Sequence, residues 1–200
     1  MNRAESSDLG ERQDAAAELR RLAEGVVPHR TVALVGLMGA GKTTVGRRLA
    51  HALALPFVDA DEAITTAAGR SIEDIFAERG ECEFRRGERQ VIARLLAGPV
   101  HVLATGGGAF INTNTRALMK EQAITIWLRA PLDVLMRRVS KRDHRPLLKE
   151  EDPQAVMQRL MEERYPIYAE ADLTIDTANT PHHTAVVAIL AALREHLSRQ

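Results

Sequence analysis

Gly36 to Thr44 reads GLMGAGKTT, directly after the apolar run Thr31–Val35, TVALV. Gly36, Gly41, Lys42 and Thr43 fit the pattern G-x-x-x-x-G-K-[ST], and the surrounding residues predict a buried strand before it and a helix, Lys42 to Leu53, after it. That context is what a phosphate-binding loop requires. Glycines let backbone N–H groups approach phosphate oxygens, and the helix N-terminus adds partial positive charge. Gly39, Ala40, Gly41, Lys42, Thr43 and Thr44 are therefore the expected phosphate contacts, with Lys42 reaching the β- and γ-phosphates and Thr43 a candidate Mg²⁺ ligand. No N-K-x-D guanine-reading motif occurs, so ATP is the expected nucleotide.

Outward from the loop, short apolar runs alternate with amphipathic stretches. Strands are expected at Pro56–Val58, Val100–Ala104, Ala123–Leu128 and Leu173–Ile175. Helices are expected at Ser71–Arg79, Cys82–Leu96, Thr115–Glu121, from Pro131, from Gln154 to about Ala169, and at Ala185–Leu197. Such alternation implies a parallel sheet covered on both faces, a three-layer α/β/α architecture. The 200 residues, 45% hydrophobic, suffice for one core, and one domain is the default. Residues 1–29 read as an N-terminal extension in which Ala15, Leu19, Leu22 and Val26 recur at helical spacing, so a helix laid against the domain is expected there. Residues 140–153, SKRDHRPLLKEEDP, are highly charged and aperiodic, as in a surface loop.

Charge narrows the partners. The 27 basic and 27 acidic residues cancel, which supplies no overall field for nucleic acid or an anionic membrane, and a small molecule is the expected partner. There is no apolar run of membrane-spanning length, and the first 28 residues lack the apolar stretch of a secretory signal. A lone cysteine, Cys82, excludes an internal disulfide, fits a reducing, cytoplasmic setting and reads as a semi-buried thiol. His182 and His183 read as a solvated helix start rather than metal ligands.

The second strand leads into Asp59, Ala60, Asp61. Ligands of open α/β sheets bind beyond the carboxyl ends of the strands, so both carboxylates can face one crevice; a plain turn with a helix cap at Asp61 is the alternative. Arg85 and Arg86 in EFRRGE, and Arg164 in ERYPIY before a helix-breaking proline, read either as surface charges or as a bidentate clamp for a carboxylate. Ala104 to Phe110, ATGGGAF, places three glycines after the third strand. Alone this is a bare turn or a place where backbone comes close to a ligand. Many phosphate-loop proteins have an acid there to support Mg²⁺; none stands here, which shifts that support to Thr43 and Asp59.

In order, GLMGAGKTT, VDAD, GRSIEDIF, EFRRGE, ATGGGAF, RPLL and ERYPIY resemble the shikimate kinase family over about residues 30 to 178. The resemblance implies a P-loop NTPase fold of the nucleoside-monophosphate-kinase type, with a five-stranded parallel sheet in the order 2-3-1-4-5. It implies one kinase domain over 30–200, with a substrate-binding insertion at about 60–97 and a lid at about 139–153. It also implies Mg²⁺-dependent transfer of the ATP γ-phosphate to the 3-hydroxyl of shikimate, a step of aromatic amino acid biosynthesis, by a monomer.

Matched by motif, Asp61 would contact the ring hydroxyls and orient or deprotonate the acceptor, and Asp59 would lie nearer Mg²⁺. Arg85 and Arg164 would clamp the shikimate carboxylate, while Gly107, with Gly108 beside it, would bring backbone N–H groups to the substrate. Arg145 of RPLL would reach the phosphates from the lid, and Arg138 would pack against adenine. A gluconate-kinase-like enzyme would share the loop without the acceptor set, and a non-catalytic ATP-binding module would keep only the phosphate grip.

Overall fold

A computed structural model of the chain describes residues 14–140, 152–177 and 181–199. Five parallel strands, β1 (Thr31–Val35), β2 (Phe57–Asp59), β3 (Val102–Ala104), β4 (Ala123–Arg129) and β5 (Leu173–Asp176), form one sheet in the order β2-β3-β1-β4-β5. This is the order that the resemblance implies. β1 is central and buried at every residue, paired with β4 from Thr31–Ala123 to Val35–Trp127 and with β3 from Val32–Val102 to Leu34–Ala104. A strand covered on both faces can be apolar throughout, which is why TVALV shows no alternation.

The helices are α1 (residues 14–23), α2 (Lys42–Ala52), α3 (Ala60–Ala68), α4 (Ile72–Leu96), α5 (Thr113–Gln122), α6 (Leu132–Val139), α7 (Pro153–Tyr168) and α8 (His182–Ser198). α2 packs on α8, while α4, α5 and α7 meet around a short 3₁₀ turn at Ala109–Ile111. The expected helix in the extension is present: Leu19, Ala23 and Val26 join the main core. A small separate core of Ile64, Phe84 and Val91 ties α3 to α4.

Several expectations shift. A helix, α3, does follow this turn, but Asp59 caps it by accepting from the Asp61 N–H at 3.0 Å, so the cap is Asp59 and not Asp61. The two helices expected over 71–96 are both present, joined end to end within α4 and separated by a break at Gly80, which takes φ 75° and ψ 173°, a conformation that a side chain would disfavour. α5 begins two residues early because the Asn112 side chain accepts from the N–H groups of Asn114 and Thr115. Cys82 is exposed, not semi-buried.

α7 continues past Pro166 to Tyr168. The proline removes one helical N–H, but tertiary contacts hold the last turn. Tyr165 donates its hydroxyl to the Ala130 carbonyl and Tyr168 donates to the Gly107 carbonyl. Both rings also pack against Trp127, with centroids 4.9 and 6.0 Å away.

Beside the backbone ladder, one carboxylate ties the start of β5 to β4. Asp172 Oδ2 accepts from the Thr125 N–H at 2.8 Å and from its hydroxyl at 2.7 Å, while the Asp172 N–H donates back to Thr125 Oγ1 at 2.9 Å. Thr125 is fully buried. Asp172→Ala leaves those donors without their acceptor and should lower unfolding stability by about 1–3 kcal/mol. Asp172→Asn, which keeps one carbonyl oxygen, should lose less. Denaturant titration of the three proteins checks this, and equal midpoints would refute it.

Candidate active site

The loop from Gly36 to Gly41 joins β1 to α2. Gly41 is the N-cap of α2, with φ 97°, and no acidic side chain occupies the first turn, so the helix end is open to an anion. Lys42 Nζ donates to the carbonyls of Gly36 and Leu37 at 2.8 and 2.9 Å, which holds the ammonium over the loop. One hydrogen bond crosses from the loop to β2: Thr43 Oγ1 donates to Asp59 Oδ2 at 2.8 Å. A hydroxyl and a carboxylate side by side are hard oxygen donors of the kind Mg²⁺ prefers, so this pair fits that ion. Thr105, at the end of β3, is otherwise engaged, because its hydroxyl donates to the Leu34 carbonyl at 3.0 Å.

Across the cavity, the glycine tract supports charged side chains at very short range. Asp61 Oδ1 lies 2.8 Å, and Glu88 Oε1 3.0 Å, from where a Cβ on Gly106 would stand. The Arg85 guanidinium lies 2.5 Å from where one on Gly108 would stand. Neither position has room for a side chain unless its neighbours move. At Gly107 the Cβ direction instead faces the phosphate loop, 3.6 Å from Met38 N and 3.7 Å from Gly36 O. Acidic and basic side chains thus lie against Gly106 and Gly108, while the Gly107 carbonyl accepts hydrogen bonds.

Arg85 donates to Glu88 Oε2 at 2.8 Å and to Glu81 Oε1 at 3.2 Å. Glu88 is 2% exposed, and its Oε1 has no hydrogen-bond partner among the described residues. Burial pushes its carboxyl above the usual range, Arg85 pulls the other way, and the nearby Asp61 adds to the rise. For Arg85, burial opposes the charge, yet the bonds and fields of Glu88 and Glu81 prevail and its pKa is raised. The guanidinium is therefore a permanent cation, held between two acids with part of its edge turned to the cavity.

Arg164 arrives from α7. Its Nη1 lies 3.5 Å from the Gly107 carbonyl, which also accepts from the fully buried Tyr168, whose phenol is raised far above its ordinary value by burial. Arg138, from α6, lies 3.4 Å from the carbonyls of Gly39 and Ala40, and burial lowers its pKa.

A single cavity of about 1330 Å³ gathers these groups. Gly39, Gly41, Lys42, Thr43, Thr44, Asp59, Asp61, Arg85, Gly107, Gly108, Arg138 and Arg164 all line it. Ala40 does not; its side chain is buried at 1% exposure. Arg145 and most of the expected lid lie outside the described residues. Glu88, Gly106 and His182 also line the cavity and were not foreseen. Glu88 stands three residues after Arg85 in EFRRGE, a spacing that also suits a solvated helix pair, so only its burial distinguishes it. His182, read as a solvated start, faces the loop instead.

The phosphate loop, the paired acids and the arginines thus share one cavity, and the likenesses to known proteins agree with that arrangement. The sequence model of the shikimate kinase family matches residues 38–194. A shikimate kinase of Caulobacter vibrioides is 60% identical over 166 residues, 83% of this chain and 83% of that one. One of Paramagnetospirillum magneticum is 51% identical over 187 residues, 92% of this chain and 96% of that one. The solved structure of shikimate kinase from Acinetobacter baumannii in complex with shikimate superposes with a TM-score of 0.80 at 36% identity, covering 89% of this chain and 98% of that one. A match of this extent to the family model, together with relatives at this identity, establishes that the chain belongs to the shikimate kinase family.

Proposed function

We infer that this protein is a shikimate kinase, which transfers the γ-phosphoryl group of ATP to the 3-hydroxyl of shikimate and releases ADP. The observation that carries the reading is a single cavity lined both by a phosphate loop and by Asp61, Arg85 and Arg164. That set matches an acceptor that carries both hydroxyls and a carboxylate. A gluconate-type kinase or a phosphate-gripping module would not need it.

In the reaction the acceptor O–H bond breaks, a bond forms from that oxygen to the γ-phosphorus, and the bond from phosphorus to the β,γ-bridging oxygen breaks. Little covalent work is left to the protein, so placement and charge neutralisation dominate. Asp61 orients the hydroxyl and takes up or relays its proton. Its carboxylate is held against Gly106, at the start of α3, close to Glu88. Arg85 and Arg164 fix the acceptor's carboxylate, Glu88 keeps Arg85 from swinging away, and Lys42 turns from the loop carbonyls to the β- and γ-phosphates. Thr43 and Asp59 would hold Mg²⁺, which, when bound, offsets charge on the phosphate oxygens. By the family pattern, Arg145 reaches the phosphates and Arg138 packs against adenine.

The same reading makes α3 and α4 the acceptor-binding insertion of a single kinase domain and residues 139–153 its lid. It also makes the protein a monomeric cytoplasmic enzyme. No helix among the described residues is long and apolar enough to cross a membrane.

Coupled measurement of ADP release from MgATP tests the assignment: turnover is expected with shikimate and not with gluconate or without acceptor. Turnover with gluconate alone, or none with shikimate, would overturn it. Arg164→Ala removes a charge-assisted hydrogen bond of roughly 1.5–3 kcal/mol, so kcat/KM for shikimate should fall about 10- to 100-fold or more while ATP affinity holds. Equal losses for both ligands would indicate a folding defect instead.

Gly108→Ala probes the glycine support. The added methyl meets the guanidinium of Arg85, and moving it strains the contact with buried Glu88, so stability should fall by about 1–3 kcal/mol while the fold is kept. Displacing that guanidinium should raise KM for shikimate by about tenfold, the scale of one charged hydrogen bond. An unchanged KM would mean that Arg85 does not bind the acceptor from its position here.

A further inference from the structure

The two arginines of the acceptor side are held in opposite ways. Arg85 is pinned between Glu88 and Glu81, at 2.8 and 3.2 Å, before any ligand arrives. Arg164 has no carboxylate within ion-pair distance among the described residues, although it is half-buried and lines the cavity. Its Nη1 lies 3.5 Å from the Gly107 carbonyl, beyond the usual range of a firm hydrogen bond. Its charge also reaches the Tyr168 hydroxyl, where it opposes the larger rise that burial gives the phenol pKa. The cation is therefore close to the carbonyl but only loosely attached to it.

The carbonyl has a better donor. Tyr168, one turn after Arg164 on α7 and completely buried, donates its hydroxyl to it. A buried phenol needs an acceptor, and the packing of this ring fixes where its hydroxyl points. The ring is stacked with Phe110 at 6.5 Å between centroids and lies against Trp127 at 6.0 Å. Without that hydroxyl, the carbonyl of the half-buried Gly107 would take the guanidinium as its donor. Such a bond is charge-assisted and roughly twice as strong as a neutral one. An incoming carboxylate would then have to compete with backbone for the same cation.

We propose that Tyr168 is a positioning residue for the acceptor: its hydroxyl occupies the Gly107 carbonyl and so leaves Arg164 free to turn to the acceptor's carboxylate. Tyr168 does not line the cavity and acts through Arg164. The proposal rests on the kinase reading given above and adds the residue that keeps one arm of the clamp available.

Tyr168→Phe in the full-length protein removes the hydroxyl and keeps the ring contacts. KM for shikimate should rise about three- to tenfold, the scale of one neutral hydrogen bond, while KM for ATP and the calorimetric affinity for MgADP hold. The double variant Arg164→Ala/Tyr168→Phe should have the shikimate KM of Arg164→Ala alone, as expected if one residue acts through the other. A measurement on the wild-type protein needs no variant to fold. With glycine carbonyls labelled with ¹³C and arginines with ¹⁵N, saturating shikimate should shift the Arg164 side-chain resonance in the NMR spectrum. The Gly107 carbonyl should keep the resonance of a hydrogen-bonded group.

An unchanged shikimate KM in Tyr168→Phe, or an equal loss for ATP, would overturn the proposal. So would additive losses in the double variant, which would mean that the hydroxyl acts on the fold and not on Arg164. A Gly107 carbonyl that loses its hydrogen bond when shikimate binds would overturn it as well, since Arg164 would then be its real donor. Wild-type protein that binds no shikimate would sink the kinase reading together with this proposal, whereas normal wild-type binding with any of the other three results sinks the proposal alone.

Discussion

Every functional group described above depends on the burial of β1 in the middle of a parallel sheet. Parallel pairing puts the carboxyl ends of all five strands at one edge, and a strand with neighbours on both sides must deliver its loop between theirs. The phosphate loop thus emerges between the Asp59–Asp61 turn and the glycine tract on one side and the start of α6 on the other. The Thr43–Asp59 hydrogen bond closes the gap between the loop and β2. Were β1 at an edge, the same residues would fold into a loop with no acceptor side facing it.

The acceptor side rests on a second constraint, the cost of burying charge. Glu88 is almost fully buried with one oxygen unpartnered, which would be unfavourable without the Arg85 cation beside it. Glycines 106 and 108 make the arrangement possible, because a Cβ at either would occupy the space of Asp61, Glu88 or Arg85. The site is a compact alternation of acids and arginines laid on bare backbone. This is a reasonable way to hold a small polyhydroxylated carboxylate, since each buried charge already has part of its compensation before the ligand arrives.

The contacts of α7 show how local rules yield to packing. Pro166 in ERYPIY is a helix breaker by local propensity, although the periodicity around it carries the expected helix on to about Ala169. The helix nevertheless reaches Tyr168, because Tyr165 and Tyr168 each find a backbone carbonyl and lie against Trp127. Arg164, one turn earlier, inherits its position from those anchors. Nothing in the hexapeptide alone indicates that two tyrosines spaced three apart will meet a tryptophan from another strand.

Read alone, the sequence determined the alternation of strands and helices and the phosphate loop, and its ordered motifs supported the resemblance that implied the sheet order. These follow from short-range periodicity, from glycine and lysine spacing, and from motif order, all of which are present in the chain before it folds. Only the tertiary structure decided which residues lie beneath and behind the site. Glu88 is buried, Asp59 rather than Asp61 caps α3, and the acids lie against Gly106. His182 faces the loop, and an N-terminal helix bonds to both α8 and α2 nearby. Each is a matter of which distant surfaces meet, and burial, ion pairing and steric room at a glycine are properties of that meeting and not of any one segment.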